Sequence, residues 1–169
     1  MKRFTESLRS SVAHGDWYVA LSAALTLPDV CGSLIHPLEK IGVRYERWFD
    51  SWMSLKHTTK IPYLYKEFLL SGRDCYALRC TYLHEGSGDI TARKTRALDD
   101  FHFICPPPNQ NSIHLNKIND TLQVQVDIFC MDMAGSVDEW ASSVAEDAEV
   151  QKRISSLLLV HDWAPGIKY

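Results

Sequence analysis

At 169 residues, 46% apolar and 23% charged, the chain has the makeup of one globular domain with a hydrophobic core, which excludes disordered and fibrous classes. A net charge of −3 excludes a globally basic polyanion binder, so any contact with nucleic acid needs a local basic patch. Five cysteines (Cys31, Cys75, Cys80, Cys105 and Cys130) form an odd set with no CxxC pair, and Met1–Gly15 has no apolar signal core. The expectation is therefore reduced thiols, a cytoplasmic protein and no membrane association, the apolar runs being too short for a span.

Phe4 to Ala13 reads as an amphipathic helix with Phe4, Leu8 and Val12 on one face, ended by His14-Gly15. Asp16 caps the strongly apolar stretch Trp17–Leu27. Pro28 then kinks the helix or starts a new one, and Asp29 to Ile35 continues helically until His36-Pro37. Leu38 to Leu55 is amphipathic, with Ile41, Tyr45, Trp48, Phe49, Trp52 and Leu55 on one side and Lys40, Arg44, Arg47 and Ser51 on the other. That aromatic stripe fits core packing better than a platform for stacking bases, because helical periodicity alone produces it. Lys56 to Lys60 is a loop, and Pro62 opens a helix through Leu70.

Gly72 to Gly86 is a short helix with defined ends. Ser71 is its N-cap, Asp74 completes an acidic capping box, and Gly86 provides the left-handed residue past the C-terminus. Between the caps it is apolar almost all round, as in a buried helix, yet it carries Arg79 and His84. Ser87-Gly88-Asp89 turns the chain, and Ile90 to Leu98 holds Arg93, Lys94 and Arg96, the densest basic cluster.

Phe101, Phe103 and Cys105 alternate with His102 and Ile104 in a strand stopped by Pro106-Pro107-Pro108. Ser112–Lys117 and Thr121–Val126 flank Asn119-Asp120 as a hairpin with one wet face. Together they predict a three-stranded antiparallel meander at about 98–126, inserted into a helical domain that spans the chain. Asp127 caps a helix to about Val144, with a possible break where Ser136 and Glu139 form a second capping box. Asp147 caps a last helix to about Val160, and Trp163–Tyr169 is a tail. The fold class is mainly α, a bundle of about six or seven helices with a small inserted sheet.

The segment Arg79-Cys80-Thr81-Tyr82-Leu83-His84-Glu85-Gly86 resembles the signature of the HEPN superfamily, an arginine followed after a few residues by a histidine near a helix end. The resemblance spans Gly72–Gly86. Where many catalytic members carry Asn, Asp or His after the arginine, this chain has Cys80. The resemblance implies an all-helical, homodimeric protein, and either a metal-independent endoribonuclease of toxin or defence type, with an antitoxin as a further partner, or a non-catalytic module for dimerisation, partner or nucleotide binding. In the enzyme, His84 is the acid/base and Arg79 stabilises the phosphorane; Asp29, Asp74, Tyr82 and Glu85 support them, and Arg93, Lys94 and Arg96 hold RNA. Five residues on a helix subtend roughly 140°, so the two side chains do not stack on one face, and a site shared across a twofold is expected.

A structural alternative stays open at this point: Arg79 pairs with Asp29, Asp50 or Asp74, and His84 interacts with the helix C-terminus. No P-loop or GxGxxG is present, and no cofactor is expected. His102, Cys105 and His114 match no zinc spacing. Asp29, Asp50 and Asp74 with Glu39 and Glu46 form no ExxE-like pair for magnesium.

Overall fold

The computed structural model describes residues 1–53, 70–90, 100–108 and 112–161. Six helices lie among them: α1 (Lys2–His14), α2 (Trp17–Ile35), α3 (Ile41–Trp52), α4 (Gly72–Glu85), α5 (Val126–Ser143) and α6 (Ala148–Ser155). Three short strands, β1 (Asp100–Ile104), β2 (Asn116–Ile118) and β3 (Thr121–Gln125), complete a mainly α fold with a small sheet. The expected helix from Pro62 to Leu70 and the basic run of Arg93, Lys94 and Arg96 fall largely or wholly outside the described residues.

The core forms where the apolar faces of the helices meet. Leu8 of α1, Leu25 of α2, Tyr45 and Phe49 of α3, Leu78 of α4, and Phe129 and Trp140 of α5 are almost wholly excluded from water. Each such side chain contributes about 1.5–3 kcal/mol of transfer free energy. The aromatic stripe of α3 packs into this core, with Trp48 edge-on to Trp140 at 6.4 Å between ring centroids. The α3 helix is shorter than its stripe suggests. It starts at Ile41, behind the extended Lys40 and a fully exposed Leu38, and ends at Trp52.

Pro28 does not divide α2. It is buried inside one helix of 19 residues, so the two apolar stretches on either side of it join. The joined helix is long and apolar enough to cross a membrane by length and composition, contrary to the reading of the separate runs, and half of it is buried within the protein. It contacts α1, α3, α4, α5 and α6. The α5 helix is also unbroken: Ser136 is buried in it, and its hydroxyl donates to the Trp52 carbonyl at 3.0 Å instead of capping a new helix. Gln125, not Asp127, occupies the cap position of α5. Asp147 does cap α6, accepting from the Val150 amide at 3.0 Å, but that helix ends at Ser155 rather than near Val160.

The sheet is mixed, in the order β1-β3-β2, and not an antiparallel meander. β2 and β3 form the expected hairpin around Asn119-Asp120, with Lys117 opposite Leu122 and Asn119 in the left-handed region at φ 55°, but its first strand is Asn116–Ile118 rather than Ser112–Lys117 and Val126 already belongs to α5. β1 lies parallel to β3, with Phe101 beside Leu122 and Phe103 beside Val124. The proline run that ends β1 provides the physical reason. It stops the strand and begins an eleven-residue connection from Ile104 to Asn116, too long for a tight turn of β1 into β2, and β3 takes the central position between them.

Candidate functional site

The ends of α4 form as its sequence dictates. The Asp74 amide donates to Ser71 Oγ at 3.1 Å, and the Ser71 hydroxyl donates to the Asp74 carboxylate at 2.5 Å. The Gly72 amide donates to Asp50 Oδ1 at 2.7 Å, so two of the three carboxylates considered for Arg79 serve this N-terminus instead. Gly86 closes the other end at φ 67°, its amide donating to the Tyr82 carbonyl at 3.0 Å. The helix is not buried all round. Cys75, Ala77, Leu78 and Thr81 face the core, whereas Tyr76, Arg79, Cys80, Tyr82 and Leu83 are half-buried and His84 and Glu85 are exposed.

Beyond Gly86 the chain is pinned to the sheet. Asp89 bridges Asp100, the Phe101 amide donates to the Gly88 carbonyl at 3.3 Å, and Ile90 is fully buried. A Cβ on Gly88 would come within 2.7 Å of the Phe101 carbonyl oxygen, so the approach requires glycine.

Arg79 meets Asp29 of α2. Its Nη2 is 3.9 Å from Asp29 Oδ2, while its Nε is buried without a hydrogen-bond partner. Asp29 is mainly engaged elsewhere: Arg44 of α3 donates to its Oδ1 from Nε at 2.9 Å and from Nη2 at 2.8 Å. Two guanidinium groups thus share one carboxylate, and the three side chains are 16–20% exposed. Tyr76 stands beside them, its ring held over Gly42 and close to Cys80. Burial, with Cys80 next to it, pushes the Tyr76 phenol above its ordinary range, and Arg79 acts against that shift. Deeper in, the Tyr45 hydroxyl contacts Cys75 Sγ at 3.3 Å, and burial pushes the Cys75 thiol up to about 12. That thiol is inert packing rather than a nucleophile.

His84 lies in the exposed last turn of α4 and has no hydrogen bond or ion pair with any described residue. Within one chain it is not brought to Arg79, which faces α2. Of the supporting residues, Asp29 contacts Arg79, Tyr82 donates its hydroxyl to the Tyr18 carbonyl at 3.1 Å, Asp74 is buried in the cap, and Glu85 is exposed. Arg93, Lys94 and Arg96 lie outside the described residues. Among the described residues no group of three or more His, Cys, Asp and Glu side chains is placed to hold a metal. His102 approaches Asp100 at 3.2 Å, Cys105 is exposed, and His114 Nδ1 accepts from the Gln125 amide at 3.2 Å. Glu39 pairs with Arg47 at 2.8 Å.

Arg44 is the site residue that sequence reasoning missed, having placed it only on the polar side of α3. A signal for it was available. Asp29 lies in the last two turns of α2 and Arg44 in the first turn of α3, on either side of the short His36–Lys40 connection, where consecutive helices meet and opposite charges can pair. Compared with known proteins, the chain matches no family model, no curated protein and no solved structure.

Proposed function

We propose that the chain is a HEPN-like, metal-independent endoribonuclease that works as a homodimer, with α4 at the twofold so that Arg79 and His84 of different chains share a cleft. The observation that carries this reading is the unsatisfied Arg79. A half-buried guanidinium with one orphaned nitrogen and only a long contact to Asp29 keeps donors for an anion. His84 is open to solvent, as a proton-transfer group requires, and exposed Tyr18 and Val19 next to Tyr82 give a second chain apolar surface to cover.

In the reaction, the neutral imidazole of His84 takes the 2′-hydroxyl proton as the 2′-oxygen attacks phosphorus. The new O–P bond forms while the bond to the 5′-oxygen breaks, and the imidazolium returns the proton to that oxygen. A 2′,3′-cyclic phosphate and a 5′-hydroxyl result. Arg79 stabilises the extra negative charge on the phosphorane. Asp29 orients Arg79, and Arg93, Lys94 and Arg96 hold flanking phosphates.

The Asp29 contact also favours a second reading, in which Arg79 is structural and the protein is a non-catalytic HEPN-like module for partner or nucleotide binding. RNA cleavage in EDTA separates the two. The enzyme is expected to cut in EDTA, and His84→Ala to lose about 10²–10⁴-fold in rate. Equal activity in wild type and variant removes the catalytic role of His84, and loss of wild-type cleavage in EDTA removes the metal-free mechanism. Activity of toxin or defence type would bring an antitoxin as the physiological partner.

A further inference from the structure

We infer that Arg44 is a second phosphate-binding residue, which with Arg79 forms a two-arginine clamp for one phosphodiester of RNA, Asp29 holding the clamp open between ligands. The inference rests on the endoribonuclease reading for the identity of the ligand, but its geometry belongs to three helices and extends beyond the motif on α4.

Charge is the first argument. Two guanidinium groups around one carboxylate leave a surplus positive charge where each side chain is at least four-fifths covered. A purely structural ion pair would have no use for the second arginine, since surplus charge is costly to cover. A phosphodiester carries one negative charge and brings the cluster to neutrality, which a phosphate dianion does not.

Hydrogen bonding is the second. Arg44 directs both Nε and Nη2 at the single oxygen Asp29 Oδ1. Arg79 reaches only to 3.9 Å from Oδ2, beyond hydrogen-bond length, and its buried Nε has no partner. In this arrangement the carboxylate satisfies the Arg44 fork and leaves that of Arg79 unsatisfied. The two non-bridging oxygens of a phosphodiester supply the acceptors that Arg79 lacks.

Packing is the third. Gly32 of α2 lies against the Arg44 carbonyl, where a Cβ would come within 2.8 Å of that oxygen, and Gly42 lies against Tyr76. These contacts fix where the backbone of Arg44 stands relative to α2 and where α4 stands relative to α3. Both arginines are thereby aimed at the same carboxylate.

The test is fluorescence anisotropy at low salt with a labelled 2′-O-methyl tetranucleotide, which the proposed chemistry cannot cleave. Saturable binding is expected for wild type. Arg44→Gln is expected to weaken binding about tenfold and to lower the slope of log K against log salt by about one. Arg44→Lys should not restore wild-type affinity, because a point charge does not replace the fork. Since Arg44→Gln leaves Asp29 without its main partner, Asp29→Asn/Arg44→Gln keeps the cluster balanced and is expected to fold and bind as weakly. Inorganic phosphate and a nucleoside monophosphate serve as competitors. Displacement of the tetranucleotide only by oligonucleotide supports a diester site, whereas equal displacement by inorganic phosphate overturns it.

Absence of wild-type binding, or binding within twofold of wild type with the same salt slope in both Arg44→Gln and Asp29→Asn/Arg44→Gln, removes the clamp. The failure of the two proposals is distinguishable. If Arg44→Gln loses binding while wild type does not cleave RNA, the clamp stands and the nuclease falls. If His84→Ala abolishes cleavage while Arg44→Gln binds and cleaves as wild type does, the nuclease stands and the clamp falls.

Discussion

His114 shows how one residue couples the sheet to pH. Burial pushes its imidazole below the ordinary histidine range, against the pull of Asp132 and Asp127. The Gln125 amide donates to Nδ1, which only a neutral ring can accept at that nitrogen. A histidine whose folded value lies below its unfolded value, about 6.5, stabilises the fold fully above that pH and loses the contribution as pH falls through the folded value. The Gln125 amide should therefore be protected from hydrogen exchange near neutrality and become less protected as the pH falls below the ordinary histidine range through the folded value. Protection that does not change over that interval would refute the coupling. At this scale Arg79 and His84 were legible because an isolated charge in an apolar helix conflicts with burial. Arg44 was not, because an arginine on the polar side of an amphipathic helix conflicts with nothing until its neighbour across the turn is known.

The limits of legibility among the elements follow from the range of the interactions that set them. Both caps of α4 are made by residues within four positions of each other, and they formed as written. The pairing of β1 with β3 depends on what the chain does between them, and alternation of apolar residues is the same for parallel and antiparallel neighbours. Pro28 and Ser136 illustrate the same point from the other side: both carry local break signals, and burial in the core keeps each inside a continuous helix. Gly32 tests how closely α2 and α3 must meet. On propensity alone Gly32→Ala would stabilise α2 by about 1 kcal/mol. The backbone carbonyl of Arg44, 2.8 Å from the added carbon, cannot yield as a flexible side chain would. A net loss of about 1–3 kcal/mol is expected in denaturant melts, and a stabilised variant would contradict this close approach.

For the whole molecule, α2 is the member around which the other five described helices are arranged. The candidate site lies where α2, α3 and α4 meet, yet within one chain the arrangement leaves His84 away from Arg79. That separation makes oligomeric state the decisive property of the proposed enzyme. Sedimentation at high protein concentration is expected to give the mass of a dimer, and a strictly monomeric mass would eliminate the shared site. The general mainly α architecture was legible from hydrophobic periodicity; the homodimer was expected only from the resemblance of α4, because a face covered by a second chain and a face left wet can carry the same residues. The tether between Gly88 and Phe101 has a consequence for such an assembly. A helix end free to fray would let its last side chains wander, whereas this one is stapled to a strand on its far side. In the proposed enzyme the small sheet would thus be the mount on which the histidine is aligned, and loosening the mount would blur the aim without touching the motif.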